Sequence, residues 1–218
     1  MGVKKFKVNG IFLDLDGTIV DSREAYYEAA RIAFQKMGQK LPEKETLLEL
    51  PRMLERKQSI NDVIEVDVQK FLPVYLDAYY AISAEKTMPF PNVSVTLKAL
   101  SSKAKLALVT MRAFPKENIL KELADFGIAK YFTYVVTALD TDKPKPSPEA
   151  LMKCVEVLDV QMRDCVIVGD SISDVRAGKA AGSKTVAVLS GIFSHEELAE
   201  EKPDLIIDDI TALPSFIE

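Results

Sequence analysis

Tryptophan is absent from this chain of 218 residues, histidine occurs once, as His195, and cysteine twice, as Cys154 and Cys165. The lone histidine stands beside Ser194 at a helix start, where a surface residue is expected rather than a base. Both cysteines sit in apolar surroundings without metal-ligand spacing, so they read as buried thiols in a reducing compartment. No apolar run approaches the roughly 18 residues that a membrane helix requires. The N-terminal ten residues carry lysines but no apolar segment before Ile11. An excess of one charge is also missing. With 33 acidic and 28 basic residues the net charge is -5, which gives no general attraction to nucleic acid or to an anionic membrane. An anionic substrate would have to be drawn in by a local group of cations or by a metal. Repeats and low-complexity segments are lacking as well. The expectation is a soluble, cytoplasmic protein, monomer or homodimer.

What is present is apolar material, 48% of the residues, ample for a substantial core. The length fits one large domain or a core with a modest insertion. Short runs rich in Val, Leu and Ile recur at Lys105–Thr110, Tyr134–Thr137, Cys165–Gly169, Lys184–Leu189 and Leu205–Ile207. Each is apolar on both faces, as a buried parallel strand should be. Helical stretches with legible ends lie between them. Ser147-Pro148-Glu149 supplies an N-cap and a first-turn proline. Gly127 and Gly182 suit helix C-caps, and Ser194 with Glu197 fits a capping box. Strand alternating with helix predicts a doubly wound α/β core. One strand, Gly10–Leu15, lies far upstream. The block after it reads as helix only: Asp21 and Glu24 cap a helix that runs to Met37, and Phe71, Leu72, Tyr75, Leu76, Tyr79 and Ile82 keep helical spacing. Pro51 and Pro73 are expected to interrupt or open helices. The expected domains are a core, residues 1–17 and 88–218, and an inserted helical domain, residues 18–87.

The first strand ends Asp14-Leu15-Asp16-Gly17-Thr18. Two carboxylates two residues apart project on one side of an extended strand. That much negative charge at the end of a buried strand is costly unless a cation joins it. Oxygen-only ligands suit Mg²⁺, which keeps some waters and also binds phosphate oxygens. Three further groups follow other core strands. Thr110 offers a hydroxyl and following backbone N–H groups, Lys143 lies in a proline-stiffened loop, and Asp170 precedes Ser171 and Asp174. Singly, each would be ordinary surface. Their common place after successive strands, at the edge where open α/β sheets bind ligands, makes them a site.

The ordered set DLDGTIVDS, LALVT, KPKP and GDSISD resembles the haloacid dehalogenase superfamily of phosphohydrolases, most of all its phosphoglycolate-phosphatase-like branch. The similarity covers nearly the whole chain. It implies a Rossmann-like core with a cap inserted after the first motif, matching the helical block. It also implies roles by position. Asp14 would be the nucleophile that forms an aspartyl-phosphate, and Asp16 the acid and then the base. Asp14, the Asp16 carbonyl and Asp170 would hold Mg²⁺. Thr110 and the Met111 backbone would bind phosphate. Lys143, with Lys145 as the fallback, would pair with Asp14 and the phosphoryl group, and Asp174 with Ser171 would support that shell. The resemblance thus implies a Mg²⁺-dependent phosphatase acting on a small phosphorylated metabolite.

Alternatives stay open. A β-phosphoglucomutase-like phosphosugar mutase would use the same residues. A phospho-acceptor module of the receiver type shares Asp, Mg²⁺, a hydroxyl and Lys, but gives Asp16 and the insertion nothing to do. A degenerate binder would not keep every charged position. The family often has Asn after its Thr, whereas Met111-Arg112 follows here, and Arg112 reads equally as a site cation or a surface residue. Arg52, Arg56 and Lys57 are expected on a solvated helix face, and Tyr75, Tyr79 and Tyr80 in packing.

Overall fold

Six parallel strands build the central sheet, because their residues are apolar on both faces and need cover on both. A computed structural model of the chain describes residues 5–56, 58–62 and 64–218. In chain order the strands are β1 (Gly10–Leu13), β2 (Val20–Asp21), β3 (Met88–Pro89), β4 (Lys105–Val109), β5 (Phe132–Val136), β6 (Cys165–Gly169), β7 (Lys184–Val188) and β8 (Leu205–Ile207). The α-helices are α1 (Arg23–Lys36), α2 (Lys44–Glu55), α3 (Val68–Lys86), α4 (Val93–Ser101), α5 (Lys116–Asp125), α6 (Glu149–Leu158), α7 (Ile172–Ala181) and α8 (His195–Glu200). The main sheet runs β5-β4-β1-β6-β7-β8, so the order reverses direction beside β1. That is the switch point at which a crevice opens at the carboxyl ends of the strands.

Alternation along the strands feeds two cores. Ile11, Leu13, Leu106, Leu108, Val166 and Val168 face one side, where Leu97 and Leu100 of α4 and Ile119 and Leu123 of α5 pack. Phe12, Ala107, Val109 and Ile167 face the other, against Leu151, Cys154 and Leu158 of α6. Helices on both faces of a parallel sheet make this a doubly wound α/β fold, the class the sequence pattern predicts.

The chain divides into two compact units, Met1–Val20 with Pro89–Glu218, and Asp21–Met88. The second unit is a helical assembly with its own core. Ala25, Ala29, Ala30 and Ala33 make a small-residue stripe on α1, and Phe71, Tyr75 and Tyr79 of α3 share its cluster. Phe34 meets Phe71 edge-on at 5.1 Å, and Tyr26 stacks on Tyr79 at 5.3 Å. Tyr75 and Tyr79 are therefore packing residues, with Tyr80 partly buried against them.

Several local expectations need correction. Pro51 and Pro73 lie inside α2 and α3 rather than at their ends. Apolar packing by neighbours such as Leu47, Leu50, Phe71 and Tyr75 outweighs the lost backbone hydrogen bond. Asp21 does not cap α1 as predicted; it accepts the Arg23 N–H at 3.0 Å and the Arg23 Nε at 2.9 Å. The α6 cap position falls at Pro148, while Ser147 Oγ accepts the Glu149 N–H at 3.3 Å. The pairing of β2 with β3 was not legible, because two-residue strands carry no periodicity. The capping box of Ser194 and Glu197 is present, and His195 is exposed at the first position of α8. Arg52 is half-buried and pairs with Glu49. Arg56 is the half-buried C-cap of α2. Lys57 lies outside the described residues. Among those residues no helix is long and apolar enough to cross a membrane.

Cys154 and Cys165 are both buried, and burial pushes each thiol up to about 12. Thiolate is the reactive form. Ellman's reagent is therefore expected to leave both unmodified in the native protein and to titrate both in guanidinium; rapid native labelling would contradict this packing.

Candidate functional site

Each side chain of the site is set by the residue at which an apolar strand ends. Asp14 follows β1 directly, and its N–H is held by the Val168 carbonyl at 3.0 Å. Thr110 follows β4, with its N–H on the Val136 carbonyl at 3.0 Å. Asp170 follows β6, and Ser171 then caps α7. Thr110 Oγ1 accepts the backbone N–H of Arg112 at 3.1 Å, which leaves the hydroxyl proton available to an anion. Met111, between them, is an exposed large apolar residue at this edge.

The carboxylates of Asp14, Asp170 and Asp174 each offer an oxygen within 4.8 Å of the others, and all three residues are buried. Lys145 supplies the cation. It is only 4% exposed, and its Nζ donates to Asp14 Oδ1 and Asp174 Oδ1, both at 2.6 Å, and to the Val109 carbonyl at 3.1 Å. Asp174 is fixed from behind: Ser171 Oγ donates to its Oδ2 at 2.7 Å and accepts its N–H at 3.2 Å. This capping box ties the cluster to the first turn of α7.

Here the sequence expectation for the lysine fails. Lys143 is exposed, and its backbone N–H donates to Glu149 Oε2 at 3.1 Å. The pattern Lys-Pro-x-Pro occurs twice in overlapping register, beginning at Lys143 and at Lys145. Only the second copy runs straight into α6, and its lysine is the one carried under the ends of β1 and β4. Burial was the deciding property, and sequence spacing does not report it.

Arg112 was the undecided residue, and it belongs to the site. It is 3% exposed; its Nε and Nη2 reach the two oxygens of Asp16 at 2.8 and 2.7 Å, and Nη1 reaches Glu122 Oε2 at 2.6 Å. A bidentate fork of this kind fixes the direction of a carboxylate as well as its charge. The Asp16 side chain thus pairs with Arg112, while the three-carboxylate cluster is Asp14, Asp170 and Asp174. One sequence signal pointed here: Glu122 shares the core-facing stripe of α5 with Ile119 and Leu123, and a buried acid calls for a cation.

Electrostatics follow from the charge count. Three carboxylates and one ammonium leave a deficit of two positive charges in a buried place. Burial accordingly pushes the Asp14 carboxyl up to about 8, against the pull of Lys145. Burial alone would lower Lys145, yet the Asp14 and Asp174 carboxylates hold it above the usual lysine range. An all-oxygen donor set with this deficit fits a hard divalent cation.

The chain matches the haloacid dehalogenase-like hydrolases over residues 11–188. It belongs to that family. A phosphoglycolate phosphatase of Pseudomonas fluorescens (strain Pf0-1) is 32% identical over 213 residues, 93% of this chain and 77% of that protein. One of Escherichia coli (strain K12) is 30% identical over 237 residues, 97% of this chain and 93% of its own. Among solved structures, a haloacid dehalogenase-like hydrolase from Streptococcus pneumoniae superposes with a TM-score of 0.80 at 19% identity, over 96% of this chain and 98% of that one. A predicted phosphoglycolate phosphatase from Haemophilus somnus reaches 0.76 at 23% identity, over 98% and 99%. These structures establish the fold alone. With the family, they make the chain an α/β haloacid dehalogenase-like hydrolase, an enzyme of the phosphatase type.

Two expectations follow. Lys145→Ala is expected to lower kcat by at least about a hundredfold, whereas Lys143→Ala stays within about twofold of wild type; the reverse ranking would return the role to Lys143. Arg112→Met takes the cation away from the buried Glu122 and the half-buried Asp16 and is expected to cost about 3 kcal/mol of unfolding free energy in urea. Adding Glu122→Met should recover part of that loss.

Proposed function

We propose that this hydrolase cleaves small phosphate monoesters in two displacements at Asp14, with Mg²⁺ as cofactor and 2-phosphoglycolate as the first candidate substrate. The observation that carries the reading is the position of Lys145, hydrogen-bonded to Asp14 and Asp174 within one buried carboxylate cluster.

Lys145 occupies Oδ1 of Asp14, and Oδ2 accepts no hydrogen bond among the described residues. That oxygen is the attacking group in our reading. A carboxylate approaching a phosphate dianion meets like charge, and Lys145 lowers the repulsion from one side. Mg²⁺, held by Asp14, the Asp16 carbonyl and Asp170 with Asp174 behind them, supplies the remaining positive charge. Thr110, whose hydroxyl proton is left available, and the Met111 N–H receive the phosphoryl oxygens. Asp16 passes a proton to the departing alkoxide and takes one from the water that cleaves the aspartyl-phosphate, as the symmetry of the two steps requires. Arg112 and Glu122 keep its carboxylate directed.

We assign the chemistry to the α/β unit and selection of the leaving group to the helical unit, residues 21–88. The names of the bacterial relatives support phosphoglycolate as a candidate.

Asp14→Asn is expected to lower turnover by more than about a thousandfold. Wild-type enzyme screened against phosphorylated metabolites should release orthophosphate with Mg²⁺ and none after chelation. An isomerised sugar phosphate without orthophosphate would make it a mutase, and turnover unaffected by a strong chelator would remove the metal.

A further inference from the structure

The turn after β7, Ser190-Gly191-Ile192, belongs to none of the four motifs, yet it touches the site at three points. Ser190 Oγ donates to the Gly17 carbonyl at 2.7 Å. The Ile192 N–H donates to Asp170 Oδ2 at 3.3 Å. A Cβ on Gly191 would lie 1.7 Å from that same oxygen, and one on Gly17 would lie 2.4 Å from it. The Asp170 carboxylate therefore sits in a slot between two glycines, one from the first motif and one from this turn. Any side chain at either position would expel it.

The hydrogen bond from Ser190 has a geometric consequence for Asp16. Gly17 has φ +75, which only glycine adopts cheaply, and its N–H is held by the Val20 carbonyl at 2.8 Å. With Ser190 on its carbonyl, both peptide units flanking Gly17 are pinned. In a trans peptide the C=O opposes the N–H, so the Asp16 carbonyl is turned away from Val20. Ser190 thus fixes the loop that presents this carbonyl, while Gly191 and Ile192 fix the carboxylate opposite.

We propose that Ser190 and Gly191 are positioning residues for the divalent cation: they set the spacing between the Asp16 carbonyl and Asp170. The inference rests on the Mg²⁺ reading above. Groups that orient metal ligands act on affinity for the ion without touching it.

The test compares Ser190→Thr, which keeps a hydroxyl, with Ser190→Val, which keeps the shape without it. Mg²⁺ is titrated calorimetrically into metal-free protein, and the melting temperature of each metal-free variant is measured. The Thr variant is expected within about threefold of wild type and the Val variant about tenfold weaker, with metal-free melting temperatures alike. Gly191→Ala, titrated in the same way, is expected to lose at least as much affinity as the Val variant. Equal affinities for the Thr and Val variants, or wild-type affinity for Gly191→Ala, overturn the inference and leave the metal reading intact. A wild-type protein that takes up no Mg²⁺ overturns both.

Discussion

A buried ammonium among buried carboxylates is the interaction on which the rest of this structure depends. Lys145 reaches Asp14, Asp174 and the Val109 carbonyl, groups contributed by the ends of β1 and β4 and by the first turn of α7. Such a cluster is poor material for stability, because desolvating the charges costs about as much as their attraction returns. Its cost is borne by the apolar strands beneath, whose residues on both faces are buried under helices. In the function proposed above, the cluster serves to receive an anion rather than to stabilise the fold. Three carboxylates against one lysine leave room for two more positive charges, and a divalent ion matches that deficit.

A second charged group works beside the first. Arg112 takes both oxygens of Asp16 and a third oxygen from Glu122. Two acids after one strand end are thereby sorted into different surroundings: Asp14 toward a lysine and two further carboxylates, Asp16 toward an arginine. The Arg112 fork favours the ionised form of Asp16, which is the form that takes a proton from water in the second of the two proposed displacements.

The strands were legible because doubly buried strands are apolar throughout, and the order of motifs fell on their ends. Asp14, Thr110 and Asp170 could be found this way, since each is the first polar residue after a hydrophobic run. Lys145 could not, because two overlapping copies of one pattern differ only in how far each stands from α6. Arg112 and Glu122 are ten residues apart in sequence, and their meeting depends on how α5 packs against the end of β4. Ser190 and Gly191 read as an ordinary turn; nothing local marks them as the wall against which Asp170 rests. Long-range register, rather than composition, supplied what the sequence withheld.

The central claim is that phosphorus is transferred first to Asp14 and then to water. Hydrolysis, in water carrying a third oxygen isotope, of a phosphorothioate monoester made chiral at phosphorus with the other two tests it without requiring the covalent form to accumulate. Two in-line displacements predict overall retention of configuration in the thiophosphate released. Inversion would mean that water attacks the ester directly, with Asp14 reduced to a metal ligand.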